Sequence, residues 1–562
     1  MLGTVQNKQN TLNELNKGVT DNWWENAVIY QVYPRSFKDS NGDGEGDLQG
    51  VIQQLPYLQD LGIDAIWLSP FYKSPNKDGG YDVSDPRDVD PRFGTLADAE
   101  ELIQRAHESG IKVIFDIVPN HFSSDHVWFK AALASKPSSA ERARFHFADG
   151  KGENGNQPPN NWESLFNGPA WTRVIEADGK PGQWYLHLFD SSQPDLNWEN
   201  AEVAKDFERT LHFWLDRGLD GFRIDVAHGL FKSDVKEDHR DPKELTRALR
   251  MDLGGMDPEV RKALLSDIPF FGQGQAHEIY RQWRTIFDSY PEKRMAVAEA
   301  LLYPTSRLAD YVRPDELHQV FNFDYMGAEW NASKIIKSVK SSIAELSTVG
   351  ASPSWVMNNH DSPRVVSRLK SSDRARAFAL LTHALPGSVY VYQGEELGMV
   401  EGIIPDEVRQ DPAFIRSGGK DKGRDGARVP LPWNASAKNF GFSGGNPWLP
   451  MHQTLKEYSV DLQNTEVNSF LNLYKMSLTL RKRFLNQENS TQLIWHDAPE
   501  GIVHFSRGSE FILLANTTQL PIDIDVKASV MVLLQSQSGA SLIGTIVTVP
   551  PDTTLWLRKE NN

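Results

Sequence analysis

Three acidic side chains close short apolar runs in this chain. They are Asp225 in Gly221-Phe-Arg-Ile-Asp-Val-Ala-His228, Glu299 in Arg294-Met-Ala-Val-Ala-Glu-Ala300, and Asp361 in Ser354-Trp-Val-Met-Asn-Asn-His-Asp361. Each run is short, rich in β-branched, apolar or aromatic residues and polar at its end, which reads as a buried strand. Arg223 and Asp225 lie two positions apart and share a strand face, so the guanidinium can hold the carboxylate ionised and oriented. Asp225 is therefore a candidate nucleophile; taken alone, the pair reads equally as a buried structural ion pair. Two carboxylates facing one sugar suffice for glycoside hydrolysis. One attacks the anomeric carbon while the other protonates the leaving oxygen and then activates water. A third can stabilise the cationic transition state and hold a hydroxyl. Proton donation falls to Glu299, whose strand carries no adjacent cation, whereas Asp225 has Arg223.

The elements that must position these groups alternate. Strands are expected at 28–34, 63–70, 112–121, 221–227, 294–300, about 318–325, 354–361 and 388–395. Helices are expected between them, at 48–61, 97–109 (closed by Gly110), 201–217 and 275–289. This rhythm predicts an α/β fold, a (β/α)8 TIM barrel with its site at the carboxyl ends of the strands. Residues 122–195 are rich in Pro, Gly, Asn and Trp and too long for an ordinary loop, so they form an inserted small domain after strand 3. A helix near 467–485 precedes short runs at 492–496, 502–506, 510–516, 529–535, 541–549 and 553–558, the pattern of a C-terminal antiparallel β-sandwich. The expected division is a frayed leader at 1–21, the barrel at 22–121 and 196–465, the insert at 122–195 and the β domain at 466–562.

Composition removes whole classes of function. The net charge of −16 over 562 residues argues against nucleic acid, and with no cysteine there is no disulfide framework, thiolate metal site or Cys nucleophile. No apolar run approaches the roughly 20 residues that span a bilayer, and the polar first residues lack a signal-peptide core, so a cytoplasmic protein with no membrane partner is expected. The acidic loop Asp39-Ser-Asn41-Gly-Asp43-Gly-Glu45-Gly-Asp47 alternates oxygen side chains with glycine, a plausible cage for a hard cation, although Gly50 stands where an EF-hand glutamate would be. A solvated acidic turn is the alternative.

These residues together resemble the α-amylase family, glycoside hydrolase family 13. Asp116-Ile-Val-Pro-Asn-His121, Gly221-Phe-Arg-Ile-Asp225, Glu299-Ala and Asn359-His-Asp361 are similar to its four ordered signature regions. Gln193-Pro-Asp-Leu-Asn197 resembles the fifth region in the α-glucosidase and oligo-1,6-glucosidase branch. Tyr30-Gln-Val-Tyr-Pro-Arg-Ser-Phe37, Gly80-Tyr-Asp82-Val, Asn160-Asn-Trp-Glu-Ser-Leu-Phe166 and Gly423-Arg-Asp-Gly-Ala-Arg428 add to the match. The resemblance implies Asp225 as nucleophile, Glu299 as acid/base and Asp361 as transition-state stabiliser. It further implies that Arg223 orients Asp225, that His121 and His360 bond sugar hydroxyls, and that Tyr81 and Phe166 stack on the sugar. Asp82 with Arg424, or with Arg428 in its place, would close the pocket behind the non-reducing end. Asp116 would support the site. It implies a structural Ca²⁺ or Mg²⁺ on Asp39, Asn41, Asp43, Asp47 and the Glu45 carbonyl, and no organic cofactor.

The expected activity is that of a retaining, exo-acting α-glucosidase taking maltose and short α-linked gluco-oligosaccharides, as a monomer or homodimer. Val226 after the nucleophile resembles enzymes of α-1,6 bonds, so isomaltose is the nearest alternative. A transglycosylase or isomerase, such as a trehalose synthase or sucrose isomerase, stays open, because water and a sugar hydroxyl compete for one covalent intermediate. A non-catalytic binding relative would be expected to lack one of the three carboxylates.

Overall fold

The computed structural model describes residues 22–249, 256–486 and 492–560; the expected leader at 1–21 lies outside them. Eight parallel strands build the barrel: β1 Val28–Val32, β2 Ala65–Leu68, β3 Lys112–Ile117, β4 Gly221–Ile224, β5 Met295–Ala298, β6 Gln319–Val320, β7 Ser354–Val356 and β8 Ser388–Tyr392. They pair in the order β6-β5-β4-β3-β2-β1-β8-β7, and a parallel bridge between Phe321 and Ser354 closes the ring. All eight are buried except at Lys112, where β3 begins, as strands covered by helices on the outside and filled by side chains within must be. Gly221 opens β4 because a Cβ there would sit 2.3 Å from the Met295 carbonyl oxygen of β5.

Local chemistry explains where the elements depart from expectation. The helix expected over 48–61 is two, Leu48–Gln53 and Leu55–Leu61. Pro56 has no N–H to continue the first helix and begins the second. The run at 318–325 is a strand only at Gln319–Val320, because the Asn322 side chain accepts the Tyr325 N–H and caps a short helix, Phe323–Met326. The helix Leu96–Glu108 starts at a capping box in which Thr95 and Asp98 satisfy each other's amides. The helices Ala201–Leu215 and Ala276–Asp288 fall where periodicity places them.

The insert carries a helix, Val127–Ala134, and a three-stranded antiparallel sheet of Phe147–Ala148, Trp171–Ile175 and Pro181–Leu186. The C-terminal domain has a five-stranded sheet, and facing it a three-stranded one of Ile522–Asp525, Ser541–Ile543 and Ile546–Val549. The single run expected at 541–549 is thus a hairpin turning at Gly544 (φ +63°), and the strand at 522–525 is additional. Ile512, Leu514, Ile524, Val547, Val549 and Leu555 fill the space between the sheets. The other face of the larger sheet packs on the barrel, with Trp556 donating to the Leu380 carbonyl at 2.9 Å. Among the described residues no helix is long and apolar enough to cross a membrane.

Candidate active site

The site follows from how three adjacent strands end. Past the last residues of β3, β4 and β5 the ladder continues: Asp225 N–H bonds the Ile117 carbonyl at 2.9 Å, and Glu299 N–H bonds the Ile224 carbonyl at 3.0 Å. Asp225 and Glu299 are thereby held side by side in register. Arg223 lies between them. Its Nη1 donates to Asp225 Oδ1 at 2.5 Å and to Asp116 Oδ1 at 2.8 Å, while its Nη2 lies 2.7 Å from Glu299 Oε2. The expectation that Glu299 has no adjacent cation is therefore corrected: the guanidinium of the neighbouring strand reaches both carboxylates. Arg223 and Asp116 are wholly enclosed, whereas Asp225, Glu299 and Asp361 keep 8, 17 and 28% of their side-chain surface. All three of the latter face a cavity of about 310 Å³.

Asp116 accepts from Trp67 Nε1 at 3.1 Å and from the Tyr81 hydroxyl at 2.9 Å, so it anchors both Arg223 and an aromatic wall. Burial, opposed by Arg223, pushes its carboxyl up to about 6. Asp225 is also pushed up, by burial first and by the charges of Glu299 and Asp116, with Arg223 opposing. One guanidinium among three carboxylates cannot neutralise them all, so burial prevails at Asp116 and Asp225.

Asp361 is held differently. Its Oδ1 accepts from Arg424 Nη1 at 2.9 Å and Arg428 Nη2 at 2.7 Å. Against burial, His360 and those arginines hold the carboxyl far below the ordinary range, so it stays ionised. His360 itself does not wall the cavity. It is fully enclosed and stacked on Tyr81, with ring centroids 5.1 Å apart and planes at 6°, and its Nε2 lies 3.3 Å from Asp361 Oδ2. Burial pushes the His121 imidazole down to about 4, so it is neutral, with Nε2 3.2 Å from the Tyr81 carbonyl oxygen. Tyr81, His121 and Phe166 do line the cavity.

Asp82 does not pair with Arg424. Its carboxylate is fully buried and takes the Ser74 hydroxyl and the Lys77 and Asp78 amides at 2.9 to 3.1 Å. Asp78 takes that place: Arg424 Nη2 donates to its Oδ1 at 2.6 Å, and Gln193 Nε2 donates to its Oδ2 at 2.9 Å. Arg424 also holds Asp411 through Nε at 2.6 Å and lies over the Phe166 ring at 4.8 Å. The signal in the sequence was the glycine pair in Asp78-Gly-Gly-Tyr81. Gly79 (φ +57°) and Gly80 (φ +97°) fold the chain so that Asp78 and Tyr81 reach the same cavity. Asp78→Asn is expected to lower kcat/KM by about two decades, as loss of one partner in a buried charge pair does. Asp82→Asn should stay within about threefold of the parent. Steady-state kinetics of both variants on one α-glucoside decide between them.

Sequence reasoning also missed Lys232, which ties the insert to the barrel beneath His121. Its Nζ lies 2.9 Å from Asp195 Oδ2 and donates to Asn120 Oδ1 at 2.8 Å, with all of these groups enclosed. In the acidic loop Asp39 accepts the amides of Asn41, Gly42 and Gly44, Asn41 accepts that of Asp43, and Asp43 that of Glu45. Asp47 takes Ser40 and Gly50, and the Glu45 carboxylate pairs with Arg35 at 2.6 Å. All-oxygen donors suit a hard cation in kind. Among the described residues no three acidic or histidine side chains gather as a metal-holding group, so a cation here would draw on the Asn41 amide and the Glu45 carbonyl as well.

Paired carboxylates on one guanidinium, at the C-terminal mouth of a (β/α)8 barrel, define a glycoside hydrolase. The chain belongs to the α-amylase family: residues 31–488 match the family's model of the alpha amylase catalytic domain. It is 37% identical over 499 residues to the oligo-1,6-glucosidase of Parageobacillus thermoglucosidasius, covering 82% of this chain and 84% of that one. It is 34% identical over 529 residues to the trehalose-6-phosphate hydrolase of Bacillus subtilis strain 168, covering 88% and 89%. Among solved structures, the alpha-glucosyl transfer enzyme XgtA superposes with a TM-score of 0.85 at 34% identity, covering 96% of this chain and 100% of that one.

Proposed function

We propose that this protein is a retaining, exo-acting α-glucosidase that releases α-glucose from the non-reducing end of maltose and short α-linked gluco-oligosaccharides. The observation that carries this is Arg223 holding Asp225 and Glu299 on two nitrogens of one guanidinium. Carboxylates so close suit double displacement, which uses a separation of about 5 Å, better than inversion, which leaves room for a water between them. Asp225 attacks C1 as Glu299 protonates the glycosidic oxygen. Glu299 then takes a proton from water, whose oxygen attacks C1 and frees Asp225. Asp361, ionised and fixed by Arg424 and Arg428, binds hydroxyls and stabilises the positive charge at C1. The Asp78–Arg424 pair across one end of the cavity supports removal of single end units.

Incubation with maltose, isomaltose, trehalose, sucrose and maltotriose tests the proposal. Glucose from maltose and stepwise shortening of maltotriose are expected; internal cleavage, or no hydrolysis, refutes it. The second reading is an oligo-1,6-glucosidase. Val226 lining the cavity beside Asp225 favours it, and a higher kcat/KM on isomaltose than on maltose would establish it. The nucleophile must be ionised, and a carboxyl with a raised pKa is protonated below that pKa. Burial holds Asp225 above the ordinary carboxylate range, so kcat/KM should begin to fall on acidification before that range is reached; a profile flat down to pH ~4, an ordinary carboxylate pKa, contradicts this.

A structural Ca²⁺ or Mg²⁺ on the Asp39–Asp47 loop belongs to the same proposal, through Asp39, Asn41, Asp43, Asp47 and the Glu45 carbonyl. It is supported by the oxygen donors that this one loop brings together. Chelation should lower Tm by several degrees, restored by Ca²⁺, because a ligand of the native state stabilises by mass action. An unchanged Tm removes the cation from the account.

A further inference from the structure

The two oxygens of Glu299 are not equivalent. Oε2 lies 2.7 Å from Arg223 Nη2 and accepts the Val226 N–H at 3.1 Å. An oxygen that already faces two N–H donors has no place for a proton, because a hydroxyl there would turn its own hydrogen toward theirs. The proton that Glu299 gives to the glycosidic oxygen is therefore carried on Oε1. Whatever fixes Oε2 also aims Oε1.

One of the two holds on Oε2 comes from β4, the other from a turn. After Asp225 the chain passes through Val226 in a left-handed backbone (φ +44°), rare for a β-branched residue, and enters the single helical turn Ala227–Gly229. Such a conformation persists only where its surroundings over-determine it. Three hydrogen bonds do so here. Ala227 N–H donates to the Glu299 carbonyl at 2.8 Å, Gly229 N–H donates to the Val226 carbonyl at 2.8 Å, and the Tyr280 hydroxyl donates to the Ala227 carbonyl. Residues 226 and 227 thus clip Glu299 twice, once at its side chain and once at its main chain.

Tyr280 reaches this clip from the layer of helices. It is fully buried on the helix Ala276–Asp288, its ring set between those of Trp283 and Tyr311, with centroids 5.7 Å away in each case. Burial holds the phenol well above its ordinary pKa, so the hydroxyl keeps its proton and donates. Without it the Ala227 carbonyl, also enclosed, loses a donor, and the left-handed turn loses the one hold that comes from outside the β4 and β5 segments.

We propose that Tyr280 is a positioning residue for the acid/base: through the Ala227 carbonyl it locks the Val226 turn, and through the Val226 N–H that turn fixes Glu299 with Oε1 presented to the leaving oxygen. The inference rests on the α-glucosidase reading above, with Glu299 as proton donor.

The test compares two substrates on the full-length protein and on Tyr280→Phe, with a thermal melt of each. One is an α-linked glucose disaccharide that the parent enzyme hydrolyses, whose leaving oxygen must be protonated. The other is α-glucosyl fluoride, whose departure needs no proton. Tyr280→Phe should lower kcat/KM on the disaccharide by about ten- to a hundredfold, the size of a small misplacement of a catalytic group, and leave kcat/KM on the fluoride within about threefold. Equal losses on both substrates would show a general disturbance of the barrel and overturn the inference, as would no loss on either. Failure of the variant to fold would assign the hydroxyl to the core instead of the site and overturn it too. A parent enzyme that hydrolyses neither an α-linked disaccharide nor the fluoride overturns the α-glucosidase reading, and the inference with it.

Discussion

Asp225→Asn is expected to lower kcat/KM by at least three decades, about 4 kcal/mol of transition-state stabilisation, while the protein folds with a near-parental Tm. The side chain keeps its shape, and an amide oxygen can still accept from Arg223 Nη1, which stays paired with Asp116. What would be lost, under the proposed double displacement, is a nucleophile able to form an ester with C1. The effect should fall on kcat more than on KM, because the sugar's hydroxyls are held elsewhere, by Asp78, Asp361 and Arg424 in our account. Kinetics on one α-glucoside with a thermal melt on the same sample check it. A variant keeping more than about a tenth of parental activity, under 1.4 kcal/mol, removes Asp225 from the reaction.

The second large effect concerns stability. Lys232→Met should destabilise the protein by about 3–5 kcal/mol, the cost of breaking a buried ion pair from one side. Asp195 Oδ2 and Asn120 Oδ1 both lose their ammonium partner in an enclosed place. Asp195 also accepts the Leu188 amide at 2.9 Å and bridges to His121, so the insert's junction loosens with it. Denaturant unfolding of the variant, with unchanged m, measures the loss. A shift below 1 kcal/mol shows that the pair contributes little and that another contact fixes the insert.

The parts of this molecule that were legible in its sequence are those written as local patterns. A strand that ends in a carboxylate shows itself by its apolar run, and an Arg two positions earlier must share its face, as Arg223 and Asp225 do. What was not legible is what neighbouring strands bring to each other. Arg223 touches Glu299 across the β4–β5 register, and no inspection of the Met-Ala-Val-Ala strand alone reveals that cation. Asp78 lies three positions before Tyr81 and Asp82 directly after it. Only the two left-handed glycines between Asp78 and Tyr81 decide that Asp78 meets Arg424 while Asp82 turns back onto its own loop. Strand β6 was overextended because Asn322 reads as one more polar strand residue until its side chain is seen capping a helix. Lys232 gave no signal, since its partners Asn120 and Asp195 lie over a hundred and nearly forty positions away in the chain.

In the proposed mechanism Asp225 carries the sugar during the reaction. Glu299→Gln, which removes the acid/base, should be incubated with α-glucosyl fluoride, a substrate whose departure needs no proton, then quenched, digested and analysed by mass spectrometry. One added glucosyl residue is expected on the peptide containing Asp225, disappearing on longer incubation or with an added nucleophile. A glucosyl adduct on another residue, or rapid fluoride release with β-glucose as first product and no labelled peptide, would contradict it.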